Sequence, residues 1–353
     1  MSIDTSSENS PPNRHPPLQA DWIDAPHHLM NIGDLTLELG GKIQNCQISY
    51  AVHGNLADYS KPLIIFLCAI GSTHHRLDFL INQSRTLDIS KTRIVAIDAL
   101  GNGLSSSPSN SLEQPFFRFP QFTIGDMVNS QKKLLDQLGI THVDMIAGAS
   151  MGGMQALQWA ASYPNLMNYI VALTPLSKTT AWAAAMTAAA RESLHPHIGI
   201  DGSYDPDKVW LAWLPIMQML AMRTPQQCDS QFNDVQQIQG WFEQRLQWWK
   251  DMRFHPLDWI YQSRAYDAHD VSKTEPFNGN LAKALASIKA KCLIGVPNLD
   301  LFNPIEQAIY SAKLIPNSAL IKLDTDWGHM AASALDPIST KAISQAIDTL
   351  TGH

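Results

Sequence analysis

The chain has 353 residues, of which 45 % are hydrophobic and 16 % charged, and its net charge is −7. That length can bury a sizeable core, as one large domain or two smaller ones. The acidic balance provides no basic footprint for nucleic acid, and no apolar run approaches the ~18 residues needed to span a bilayer.

The first 17 residues are polar and proline-rich, with no apolar core of a secretion signal, so residues 1–20 read as a disordered leader. Cys46, Cys68, Cys228 and Cys292 are scattered without a C-x-x-C, and a cytoplasmic location is expected. Leu35–Leu39 and Gln47–Val52 alternate at period two around Gly40-Gly41 and predict an antiparallel opening pair. Leu63–Ile70 is continuously apolar, the pattern of a strand buried on both faces, and ends in Gly71-Ser72-Thr73-His74-His75. Arg93–Asp98 is a second such strand. It runs into Leu100-Gly101-Asn102-Gly103-Leu104-Ser105, which lacks the Gly-Lys-Ser/Thr of a phosphate loop.

Thr123–Leu138 repeats apolar residues at helical spacing, with Thr123 as N-cap, Asp126 three residues on and Gly139 as the stop. Val143–Ala149 is a short apolar strand, and Gln155–Ala160 reads as helix. Between them lies Gly148-Ala149-Ser150-Met151-Gly152, a G-x-S-x-G on a strand-to-helix corner. A serine lifted onto such a corner needs neighbours without Cβ atoms so that two backbones can pass closely. Tyr169–Leu173 is another buried strand, and strands alternating with helices predict a doubly wound, mostly parallel sheet.

The pattern then changes. Residues 176–280 hold no strand of that kind and are rich in Ala, Gln, Met and Trp, which predicts an inserted helical cap whose aromatics are mainly packing. His195-x-His197 has no carboxylate or third histidine at ligand spacing, so no metal site is expected. Strands resume at Cys292–Pro297 and Ala319–Leu323, and a helix from Ala331 to Leu350 closes the chain. The expected division is a leader (1–20), an α/β core (21–175 and 281–353) and the cap (176–280).

An alcohol is a weak nucleophile near neutral pH, so Ser150 needs a base, and the base needs a carboxylate to orient it. In an α/β-hydrolase sheet the order is Ser, acid, His, each on a loop after a strand. His329 follows the last strand and Asp300 the one before it; Asp324 and Asp326 are rival acids. The oxyanion of a tetrahedral intermediate needs two backbone N–H donors, each worth ~3 kcal/mol of barrier. Met151 is one candidate; for the other, Ala69 ranks first and Ile70 next.

Several segments taken together resemble the homoserine O-acetyltransferase family of α/β-hydrolase proteins, which includes esterase-like members. They are Cys68-Ala69-Ile70-Gly71-Ser72, Asp98–Gly103, Phe119–Val128, Gly148–Ala160 with Tyr163-Pro164, Ser263–Asp270, Asp300-Leu301-Phe302 with Glu306-Gln307, and Gly328-His329. The resemblance implies Ser150, Asp300 and His329 as a triad, ping-pong transfer through an acyl-serine, no cofactor, and a homodimer formed through the cap. Two departures stand out. The position after the histidine, Asp in homoserine enzymes, is Met330 here. The cap segment Leu211–Met217 lacks the arginine that holds a substrate carboxylate, for which Arg223 or Arg191 would have to substitute. A desolvated zwitterion needs partners for both charges. Met330, Arg223 and Ile70 are therefore the candidate substrate-binding residues. A carboxylic ester hydrolase for small, short-acyl esters is the leading expectation, with an acetyl-CoA-dependent O-acyltransferase as the alternative and an inactive relative as the third possibility. The expected partner is a small ester or acyl donor, not nucleic acid or membrane.

Overall fold

Leu63–Leu67 (β3) and Arg93–Ile97 (β4) are buried at every position, and this pairing anchors the core of a computed structural model that describes residues 15–353. They are neighbours in a sheet with the remaining strands at His27–Thr36 (β1), Lys42–His53 (β2), Val143–Ala149 (β5), Met167–Leu173 (β6), Lys291–Pro297 (β7) and Ser318–Leu323 (β8). The order is β1-β2-β4-β3-β5-β6-β7-β8. β1 and β2 pair antiparallel, as does β2 with β4; every later neighbour is parallel. The opening hairpin is longer than its clean alternation suggested, because His27–Asn31 also pairs with Gln47–Ala51.

Helices cover the sheet. Ile124–Gln137 (α1) starts at a full capping box, with Thr123 accepting from the Asp126 N–H while the Asp126 carboxylate accepts from Thr123 N–H. Met151–Ser162 (α2) follows β5 directly, and its helical surface is buried nearly throughout, Trp159 included. The closing helix begins at Pro337 rather than Ala331 and ends at Thr351. Asp336 caps its first turn and Pro337 presets its first residue, while Gly328–Ala331 forms a separate 3-10 turn.

Between β6 and β7 the described chain is helical: Ala181–Leu194 (α3), Pro206–Leu214 (α4), a π-helical stretch at Pro215–Ala221, Pro225–Gln231 (α5), Val235–Met252 (α6), Pro256–Asp267 (α7) and Leu281–Ala286 (α8). Ile305–Leu314 (α9) and Pro337–Thr351 (α10) return to the sheet. Trp210, Trp213, Trp249 and Trp259 form one buried cluster, with successive ring centroids 4.7–5.7 Å apart. No described helix is long and apolar enough to cross a membrane.

The last six residues of the expected leader, 15–20, are described. Residues 1–14 lie outside the described residues, but from His15 on the chain packs on the body: His15 contacts His74, and Gln19 accepts from the Trp248 indole at 3.1 Å. Buried aromatic and imidazole partners hold a segment whose composition alone reads as polar and unstructured.

The corner between β5 and α2 depends on missing side chains. A Cβ on Gly148 would lie 2.1 Å from the Gly152 carbonyl, and one on Gly152 would lie 2.4 Å from the Leu67 carbonyl oxygen. Gly240, in α6, has open space around it. Gly148→Ala should therefore destabilise toward the upper end of the ~1–3 kcal/mol usual for overpacking. Gly240→Ala should stabilise by ~0.5–1 kcal/mol through helix propensity. Urea unfolding of both variants checks the pair, and equal midpoints would refute the close-approach argument.

Candidate active site

Ser150 sits where β5 becomes α2, at φ +56° and ψ −123°, a region that a non-glycine residue adopts only when its surroundings enforce it. The enforcement is visible. The Ser150 N–H donates to the Leu173 carbonyl at 2.8 Å, and the two flanking glycines leave no room for relaxation. The hydroxyl is thereby directed at His329, whose Nε2 lies 2.8 Å from Ser150 Oγ. His329 Nδ1 lies 2.8 Å from Asp300 Oδ2. All three residues are buried.

Asp300 is held in turn. Its Oδ1 accepts from the Phe302 and Asn303 N–H groups at 2.9 and 2.8 Å, leaving Oδ2 for the imidazole. With Oδ2 accepting, the histidine carries its proton on Nδ1 and presents the Nε2 lone pair to the serine. Phe302 stands edge-on to the His329 ring at 5.0 Å and stacks on Tyr266. Tyr266 donates to Asn303 Oδ1, and Asn303 Nδ2 donates to the Thr174 carbonyl at 2.7 Å. Burial, reinforced by the Asp300 charge, pushes the Tyr266 phenol well above its ordinary range and keeps it a neutral donor. The rival acids are exposed: Asp324 accepts from Asn298, and Asp326 shows solvent its side chain while its carbonyl accepts from Thr224. Neither pairs with His329.

Facing the serine, the loop after β3 sorts its own donors. Ala69 N–H donates to Ser72 Oγ at 2.8 Å, Gly71 N–H to Gln262 Oε1 at 3.0 Å, and Ser72 N–H back to the Ala69 carbonyl at 3.3 Å. Within 69–72 this leaves Ile70 N–H without an acceptor among the described residues. Of the two candidate donors, the Ala69 amide is thus covered by the Ser72 hydroxyl and the Ile70 amide is not. Met151, the first residue of α2, has no intrahelical acceptor for its N–H. Gly71 itself has φ +60°, and a Cβ there would press on Trp259 at 3.2 Å, so the cap tryptophans seat directly on this loop.

The candidate substrate residues fare differently. Met330 is half-buried and lines a cavity of about 230 Å³ with Gly71, Ser72, Trp248, Phe254, Arg76 and Arg245; Asp21 lines it too and is exposed. Arg223 is buried but occupied: it donates to Gln227 and Gln231 at 2.6 Å and lies over the Trp241 ring. Arg191 is paired with Asp267 at 2.6 Å. The supporting contacts of Gln262 and Tyr266 carry no local sequence signal, since each acts on a residue brought near only by folding.

Residues 62–333 match the family model described as the alpha/beta hydrolase fold, and the chain belongs to that family, within its homoserine O-acetyltransferase and esterase branch. It is an enzyme of the esterase or O-acyltransferase type. It is 30 % identical over 331 residues to a homoserine O-acetyltransferase of Chlorobaculum tepidum, covering 89 % of this chain and 91 % of the relative. It is 29 % identical over 350 residues to an ethyl acetate hydrolase of Pseudomonas veronii, covering 93 % and 94 %. A solved acetylester hydrolase from Corynebacterium glutamicum superposes with a TM-score of 0.83 at 25 % identity, covering 93 % of this chain and 96 % of that one.

Exchanging Asp300 for Asn removes the acceptor that sets the histidine tautomer. Asp300→Asn should lower kcat by roughly 10³–10⁴-fold, while Asp326→Asn should stay within about twofold of the parent. Steady-state hydrolysis of a chromogenic ester reads both, and the reverse ranking would move the acid to the histidine loop.

Proposed function

We propose that this protein is a carboxylic ester hydrolase for small, short-acyl esters. Ser150 Oγ attacks the ester carbonyl as His329 Nε2 takes its proton, and Asp300 holds the imidazole and stabilises the imidazolium. The N–H groups of Met151 and Ile70 bind the oxyanion. His329 returns the proton to the leaving alkoxide, which departs as alcohol. Water, deprotonated by the same imidazole, then attacks the acyl-serine, and the acid leaves with Ser150 restored. These roles are supported by the 2.8 Å contacts from Asp300 to His329 and from His329 to Ser150.

The observation that favours water over an amino-acid acceptor is Met330. It follows His329 in the chain and lines a cavity with Gly71 and Ser72, and its thioether offers no charge to a substrate ammonium, which would need a carboxylate. Arg191 and Arg223, the possible carboxylate clamps, are engaged by Asp267 and by Gln227 and Gln231. A desolvated zwitterion would leave a charge unpaired, at a cost of several kcal/mol. The second reading, acetyl-CoA-dependent O-acylation of homoserine or another alcohol, rests on the similarity to homoserine O-acetyltransferases. It would use the same acyl-serine.

Purified protein should hydrolyse p-nitrophenyl acetate without an added acceptor, and Ser150→Ala should lose at least ~10³-fold of that rate. With acetyl-CoA, thiol release should not depend on homoserine. Release that requires homoserine would replace the hydrolase reading with the transferase one, and an unchanged Ser150→Ala rate would remove both. A homodimer through the cap is also proposed, supported by the exposure of Trp182, Leu211, Leu220 and Val235. Sedimentation velocity should give twice the chain mass; a monomer at micromolar concentration would reject the dimer.

A further inference from the structure

Outside the serine site, three of the described histidines meet at one place. The Nε2 atom of His15 lies 3.1 Å from His75 Nε2 and 3.4 Å from His74 Nε2, and the three ligand atoms are all within 4.8 Å of one another. His74 and His75 are buried and His15 is partly so. Each ring is anchored through its other nitrogen. His74 Nδ1 meets Asp98 Oδ2 at 2.8 Å, His75 Nδ1 meets Asp78 Oδ2 at 2.6 Å, and His15 Nδ1 meets the Pro16 carbonyl at 2.7 Å.

Those anchors decide the protons. A carbonyl oxygen only accepts, so His15 carries hydrogen on Nδ1. Asp98, fully buried, accepts from Ser49 Oγ, Asn102 Nδ2 and the His74 backbone N–H as well as the His74 ring, which is the environment of an ionised carboxylate. Asp78 Oδ2 likewise accepts from Ile23 N–H and from His75. With each Nδ1 engaged in this way, the three Nε2 atoms face one point. A carboxylate or carbonyl behind each imidazole is the usual second sphere of a metal-bound histidine. The two separations from His15 Nε2 also fit: ligands at ~2.0–2.1 Å on a tetrahedron stand ~3.3–3.4 Å apart.

We propose that His15, His74 and His75 bind one divalent ion of zinc type through their Nε2 atoms, with water in the fourth position. Each lone pair is donated to the ion, and no proton or electron is displaced. The ion joins the segment at His15-Pro16 to the 3-10 turn His74–Leu80, which directly follows the loop carrying Ile70 and Ser72. Its role is structural: it fastens the N-terminal segment and braces the loop that faces Ser150. The competing arrangement is one imidazolium sharing its proton with its neighbours and no metal.

The test uses full-length untagged protein, because a histidine tag binds the same ions. After chelator treatment and dialysis, it is titrated with Zn²⁺ and, separately, Co²⁺. One ion should be retained per chain, Co²⁺ should show the intense visible bands of four-coordination, and zinc should raise the melting temperature. His15→Ala alters the edge of the fold and should abolish retention and the melting shift, while Asp78→Asn should weaken binding ~10–100-fold. His27→Ala should bind as the parent does. Absence of retained ion, equal binding by His15→Ala, or loss in His27→Ala instead would each overturn the site.

Discussion

Two backbones pass at the β5–α2 corner more closely than any Cβ permits, and the rest of the site is arranged around that approach. Because Gly148 and Gly152 lack side chains, Ser150 can be held at positive φ with its hydroxyl standing off the sheet and the first N–H of α2 beside it. The conformation costs energy locally and persists because buried strands on both sides, β3 and β6, fix the corner. Held in this way by backbone geometry, Ser150 Oγ already lies 2.8 Å from His329 Nε2.

The base is held by a different means, a relay of polar contacts. Backbone N–H groups at 302 and 303 hold one oxygen of Asp300, Asp300 orients His329, and Asn303 and Tyr266 tie that loop to the end of β6. The side chains of Asp300, His329, Asn303 and Tyr266 are each hydrogen-bonded, which restrains the arrangement, and its burial strengthens the action of Asp300 on the imidazole. The oxyanion side is more composite. Asp98 and Asn102 from the loop after β4 hold His74 and Ser72 from the loop after β3, Gln262 reaches it from α7, and Trp259 covers it. The cap thus does more than roof the cavity: it supplies contacts that hold the donor loop.

Much of this was legible along the chain. The G-x-S-x-G corner, the histidine after the last strand and the acid after the one before it are positional signals within short segments, and the capping box of α1 is likewise local. Other features were not legible. Ser72 taking the Ala69 amide distinguishes two adjacent N–H groups, a choice made by a side-chain rotamer. The cap arginines looked like free cations, and only packing against Asp267, Gln227 and Gln231 shows them engaged. Residues 15–20 have the composition of a tail but are held by distant aromatic rings.

Sequence by itself determined the class of fold and singled out Ser150, Asp300 and His329, because those depend on residue type at fixed offsets from strand ends. Tertiary structure alone decided which amide of the β3 loop remains open, that Arg191 and Arg223 are engaged by protein groups, and the convergence of His15 with His74 and His75. Those depend on directions of individual N–H bonds and lone pairs, and on contacts across some sixty residues of chain, which no local pattern encodes. The glycines on either side of Ser150 belong to both: their spacing announces the corner, and the 2.1 Å approach they permit is a property of the folded chain.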